Sequence, residues 1–118
     1  MRYVCLVYGR ETDLNALSKV EMAKLDRDSL TYDRSLADSG NLIVAQALQS
    51  VKTSKTVRRR RGKTVVTDGP FAETKEQLLG FVMVEANSLA HALEMATDIP
   101  LAELGAIEVR AIYDVPGS

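Results

Sequence analysis

The hydropathy pattern changes period several times along the chain, and each change marks an element. Residues 1–8 are mostly β-branched, aromatic and aliphatic and stop at Gly9, which predicts a strand. Tyr3, Cys5 and Val7 face one way, and Val4, Leu6 and Tyr8 the other. Both faces are apolar, so this strand is expected to be covered on both sides. A helical period follows. Met22, Leu25, Ser29, Tyr32 and Leu36 recur at steps of three and four and draw one stripe. Ser18 and Glu21 have the spacing of a capping box at its start, and Gly40 stands where a left-handed C-cap belongs. Lys24, Asp26, Arg27, Asp33 and Arg34 read as the solvated face of this helix.

Residues 42–48 predict a second, short strand. Residues 55–60 and 63–67 flank a turn at Arg61-Gly62 and read as a hairpin. Asp68-Gly69-Pro70 then breaks the chain, and residues 72–77 form a polar loop or a single turn. Residues 79–86 predict a strand that is apolar on both faces. Asn87 or Ser88 caps a second helix whose stripe is Leu89, Ala92, Leu93 and Ala96, and Pro100 stops it. Residues 106–113 close the sheet, with Ile107, Val109 and Ala111 on one face and Glu108, Arg110 and Ile112 on the other. The order is β-α-β-(β-β)-β-α-β. Without the inserted β-hairpin this is the split, ferredoxin-like β-α-β-β-α-β pattern of an α+β fold. Two helices cover one face of such a sheet. Apolar residues on the other face call for a second copy of the chain, so a homodimer packed through the open sheet face is expected.

Composition narrows the function classes. A chain of 118 residues fits one domain with a core of its own. Apolar residues at 46% and charged residues at 26% are an ordinary globular balance. Fifteen basic against sixteen acidic residues argue against a globally basic nucleic-acid binder, and 5% aromatics with no Trp argue against a base-stacking platform. One Cys excludes an intrachain disulfide and any Cys-based zinc site, and one His excludes a multi-His metal centre. No metal or other cofactor is implied. No apolar run approaches the ~20 residues of a membrane span, and the first nine residues lack a signal-peptide layout. A cytoplasmic protein is expected.

Asp68-Gly69-Pro70-Phe71-Ala72-Glu73-Thr74-Lys75-Glu76 closely resembles the signature of the DGPF family, within the YCII-related superfamily. The opening strand ending Tyr8-Gly9, Ser18 with Glu21-Met22, Ala47-Leu48, Val65-Val66-Thr67 and Glu108-Val109-Arg110 extend the resemblance over nearly the whole chain. It implies a dimeric α+β barrel of ferredoxin-like topology. Some relatives are thought to act as lyase-like enzymes in aromatic degradation, and some to use a His–Asp pair in a cleft. The one histidine here, His91, falls near the start of the second helix, so that pair does not carry over. DGPF proteins are often encoded near extracytoplasmic-function sigma factors, which implies a regulatory link as the alternative to an enzyme.

The candidate residues each have two readings. Asp68, at a strand end beside a Gly-Pro turn, has the chemistry of a general acid or base, and equally of a carboxylate capping its own turn. Glu73 and Lys75 either line a ligand mouth or belong to a solvated loop. Glu108 and Arg110 share a strand face, where the Arg fork clamps a small anionic ligand or simply joins a structural ion pair. Tyr8 either turns its hydroxyl into a small-molecule cleft expected between the sheet, the hairpin and the Asp68–Glu76 loop, or packs as a bonded core residue. Alternation along a hairpin splits Arg58–Arg61 between two faces, which argues against a phosphate-binding patch. Cys5 reads as an inert core thiol.

Overall fold

A computed structural model describes residues 1–118. Six strands and three helices follow one another: β1 (Arg2–Gly9), α1 (Glu11–Asn15), α2 (Lys19–Asp38), β2 (Leu42–Ala47), β3 (Lys55–Arg60), β4 (Lys63–Asp68), β5 (Gln77–Glu85), α3 (Leu89–Thr97) and β6 (Ala106–Ala111). Four strands form an antiparallel sheet in the order β2-β5-β1-β6. Leaving out the hairpin strands, this is the ferredoxin-like order expected for the α+β pattern.

The local signals in the sequence act as written. The Ser18 hydroxyl accepts the Glu21 N–H while the Glu21 carboxylate accepts the Ser18 N–H, which closes the capping box of α2. At the other end Gly40 takes φ +80°. Its N–H reaches the Ala37 carbonyl and the Asn41 N–H reaches Leu36, so the last turn is closed by a Schellman motif. Arg61 at φ 51° and Gly62 at φ 76° give β3 and β4 the two-residue turn that matches strand twist. The Ser88 side chain caps α3 by accepting the His91 N–H, and the His91 ring nitrogen Nδ1 in turn accepts the Asn87 N–H.

The core lies between the helices and one sheet face. Tyr3, Cys5 and Val7 of β1, Val82 and Val84 of β5, and Ala92, Met95 and Ala96 of α3 are its centre. The α3 stripe therefore differs from the expected one. Ala92 and Ala96 are buried with Met95, whereas Leu89 and Leu93 remain exposed. A nine-residue helix offers two apolar stripes, and contact with the sheet selects the one continuing into buried Ile99. The other sheet face has no helix over it. Register places Val4 and Met83 beside Arg110, and Leu6 and Phe81 beside Glu108, on that open face.

The hairpin β3–β4 pairs with no other strand. It stands out from the body as an arm, and the radius of gyration is 16.3 Å. A compact chain of this length would have about 13.5 Å.

Candidate functional site

α2 is anchored at its C-terminal end and overhangs at its N-terminal end. Leu36 is its one buried residue. Four residues earlier, the Tyr32 hydroxyl donates to the Met95 carbonyl at 2.6 Å and ties α2 to α3. Burial pushes the Tyr32 phenol up, so it remains a donor. Met22 and Leu25, on the overhanging half, are only half-buried. Beneath them a cleft of about 740 Å³ opens between α2 and the sheet. That volume suits a small organic molecule. Val7, Ala45, Leu79 and Val82 form its floor, and Met22 and Leu25 its roof.

One edge of α2 supplies three polar groups of this cleft, and Glu11, Asn15, Gln46 and Ser50 supply others. Asp26, Ser29 and Asp33 are three and four residues apart, so they share a helix edge. The cleft's charged residues are carboxylates: Glu11, Asp26 and Asp33. Glu11 is engaged by the Ser50 hydroxyl at 2.8 Å and the Val51 N–H at 3.0 Å. Asp33 is half-buried, and burial raises its carboxyl above the ordinary carboxylate range. No cation lies within salt-bridge distance of Asp26 or Asp33. Asp33 therefore does not belong to the solvated face to which its charge assigned it. Its position beside Ser29 and Tyr32 is the signal that could have found it.

The pattern of the YCII-related domain matches residues 1–116. The chain belongs to the YCII-related domain family. An uncharacterized protein of Rhizobium meliloti (strain 1021) is 40% identical over 114 residues, covering 95% of this chain and 92% of that protein.

In this YCII-related chain the six residues singled out by sequence fall outside the α2 cleft, at two other places. Tyr8, Glu108 and Arg110 lie on the open sheet face, with Tyr8 opposite Ala106. Arg110 Nε stands 3.8 Å from Glu108 Oε2, an exposed ion pair. Asp68 ends β4 at the base of the arm, where it accepts from Lys55 Nζ at 2.6 Å and is exposed. Glu73 and Lys75 are exposed in the irregular link from β4 to β5. The structure thus brings Glu108 and Arg110 together but leaves Asp68, Glu73 and Lys75 on the arm side. No group of three His, Cys, Asp or Glu side chains is arranged to hold a metal ion. Cys5 is buried, and burial raises its thiol pKa. No helix is long and apolar enough to cross a membrane.

Proposed function

We propose that this YCII-related protein binds a small, mostly apolar molecule in the cleft beneath α2, with Asp33 as the group that bonds to or exchanges a proton with it. The half-buried, unpaired Asp33 carboxylate on the cleft wall carries this reading. The lining holds carboxylates and no cation, which favours a neutral or cationic ligand over an anionic one. A carboxyl with a raised pKa suits a lyase- or isomerase-like step: it takes a proton from the substrate and returns it to a neighbouring atom. Titration of isotope-labelled protein with matched small amines, alcohols and carboxylates tests this. Amines or alcohols should shift the Ala45, Leu79 and Val82 amides, and Asp33→Asn should weaken amine binding about tenfold, the loss of one charge-assisted bond. Equal binding by the carboxylates, or shifts confined to the surroundings of Arg110, would refute it.

We further propose that a second copy covers the open sheet face. Val4, Leu6, Phe81 and Met83 lie together there. Glu108 and Arg110 beside them make the face self-complementary in charge, because a two-fold partner can set its Arg110 against Glu108. Sedimentation equilibrium should give a dimer, and Leu6→Glu should give a folded monomer.

A further inference from the structure

Charge is distributed very unevenly along the chain. Residues 1–54 hold seven cations and seven anions. The arm, residues 55–68, holds six cations against Asp68 alone, a net of +5. Residues 69–118 hold eight anions against Lys75 and Arg110, a net of −6. The sharpest acidic stretch is α3 with the turn after it: Glu94, Asp98 and Glu103, with no Lys or Arg in residues 89–105.

Both charged surfaces also expose apolar side chains. On the arm, Arg58 pairs opposite Val65 and Arg60 opposite Lys63. Opposed residues share a face, and so do alternate ones, so Arg58, Arg60 and Lys63 surround Val65 on one side of the hairpin. The basic run is thus split by alternation, as expected, but Lys63 from the return strand rebuilds a patch of three cations. None of the three has a carboxylate within salt-bridge distance. Val65 is 49% exposed. On α3, the stripe that the core leaves out presents Leu89 at 52% and Leu93 at 48% exposure; Glu94 is exposed about 100° further round the helix, and Asp98 and Glu103 follow on the side toward α2. An isolated two-stranded hairpin is marginal in water, which favours a covered arm. Its own body covers it only in part: the strands pair only with each other, and apart from Thr56 and Arg58, half-buried where they donate to the Gly69 and Phe71 carbonyls, their residues are exposed.

We infer that the arm of one copy docks on the outer face of α3 of a second copy, setting Val65 against Leu89 and Leu93 and the Arg58–Arg60–Lys63 patch against Glu94, Asp98 and Glu103. A nucleic acid would satisfy the same cations. It would leave the α3 leucines uncovered and be repelled by a body of net charge −6, so the second copy is favoured. This contact is separate from the cleft and does not depend on pairing through the open sheet face.

Zero-length carbodiimide cross-linking of a mixture of ¹⁴N- and ¹⁵N-labelled chains tests the inference. Lys55 and Asp68, 2.6 Å apart, supply the same-copy control link. Lys63 is expected to link to Glu94, Asp98 or Glu103 in peptides of mixed isotope. Arg60→Glu, an exposed change that leaves the Lys63 amine in place, should lower those links at least tenfold. Mixing Arg60→Glu chains with Glu94→Arg chains should restore them, since unlike copies then attract. Same-copy links only, links to other carboxylates, or no Lys63 link would each overturn the inference. So would binding of a labelled oligonucleotide at physiological salt that Arg60→Glu abolishes.

Discussion

Tyr32→Phe isolates the bond that holds the roof of the cleft. The substitution keeps the ring and removes a hydroxyl that donates to the Met95 carbonyl at 2.6 Å. That carbonyl also accepts the Asp98 N–H at 3.3 Å, so the change does not orphan it. The expected loss is that of one net hydrogen bond, about 1 kcal/mol. For 118 residues the unfolding entropy is about 0.25 kcal/mol/K, which turns this into a Tm fall of about 4 °C. Thermal and urea melts followed by circular dichroism measure it. The loss should also be local. Because α2 buries only Leu36, its N-terminal half depends on the tether more than the sheet does. Hydrogen exchange should therefore quicken at residues 22–32 while the β1 and β5 amides keep their protection. An unchanged Tm would refute the tether. A loss above about 3 kcal/mol, with uniform exchange, would mean that α2 and the sheet open as one unit, and the overhanging roof would be wrong.

Three further outcomes follow from particular positions. Burial raises the Asp33 carboxyl, so the folded state holds its proton more tightly than the unfolded chain; the cost grows as pH rises from the ordinary carboxylate value through the raised one and is complete above it. Asp33→Asn should thus be more stable than the parent at pH 7, with the difference closing below about pH 4, and urea melts at both pH values check this. A Cβ on Gly80 would stand 2.5 Å from the Gln46 carbonyl oxygen and 3.2 Å from Ala47 Cα, so Gly80→Ala should cost about 3 kcal/mol by forcing β2 from β5. Asp68→Asn removes an ion pair in which both side chains are exposed and should change stability by less than about 1 kcal/mol in the same melts.

The elements that could be read from sequence are those whose causes are local. The Ser18–Glu21 box, the Gly40 cap, the Arg61-Gly62 turn and the Ser88 cap each rest on residues within a few positions of one another, and all form. Elements with distant causes were not legible. The short helix α1 carries Glu11, whose carboxylate is engaged by Ser50 and Val51 about forty residues later. The buried stripe of α3 is chosen by the sheet beneath it, and composition allowed either stripe. The α+β pattern also implied the open sheet face, because two helices cannot cover both sides of one sheet.

The cleft was hidden for a related reason. Periodicity tells which edge of α2 turns inward, but not how far the helix stands above the sheet. Asp33 lies about 40° around the helix from Ser29, at the border between stripe and solvent. Residue type alone sends a carboxylate there to the solvent side. The structure decides otherwise, because the two anchors of α2, Leu36 and the Tyr32 hydroxyl, both belong to its C-terminal half. A helix held at one end leaves room under the other. The border residues then become the wall of that room rather than the outer surface of the protein. The burial that raises the Asp33 carboxyl is therefore a consequence of where α2 is pinned, and that follows from Met95, sixty-three residues beyond Tyr32 in the chain.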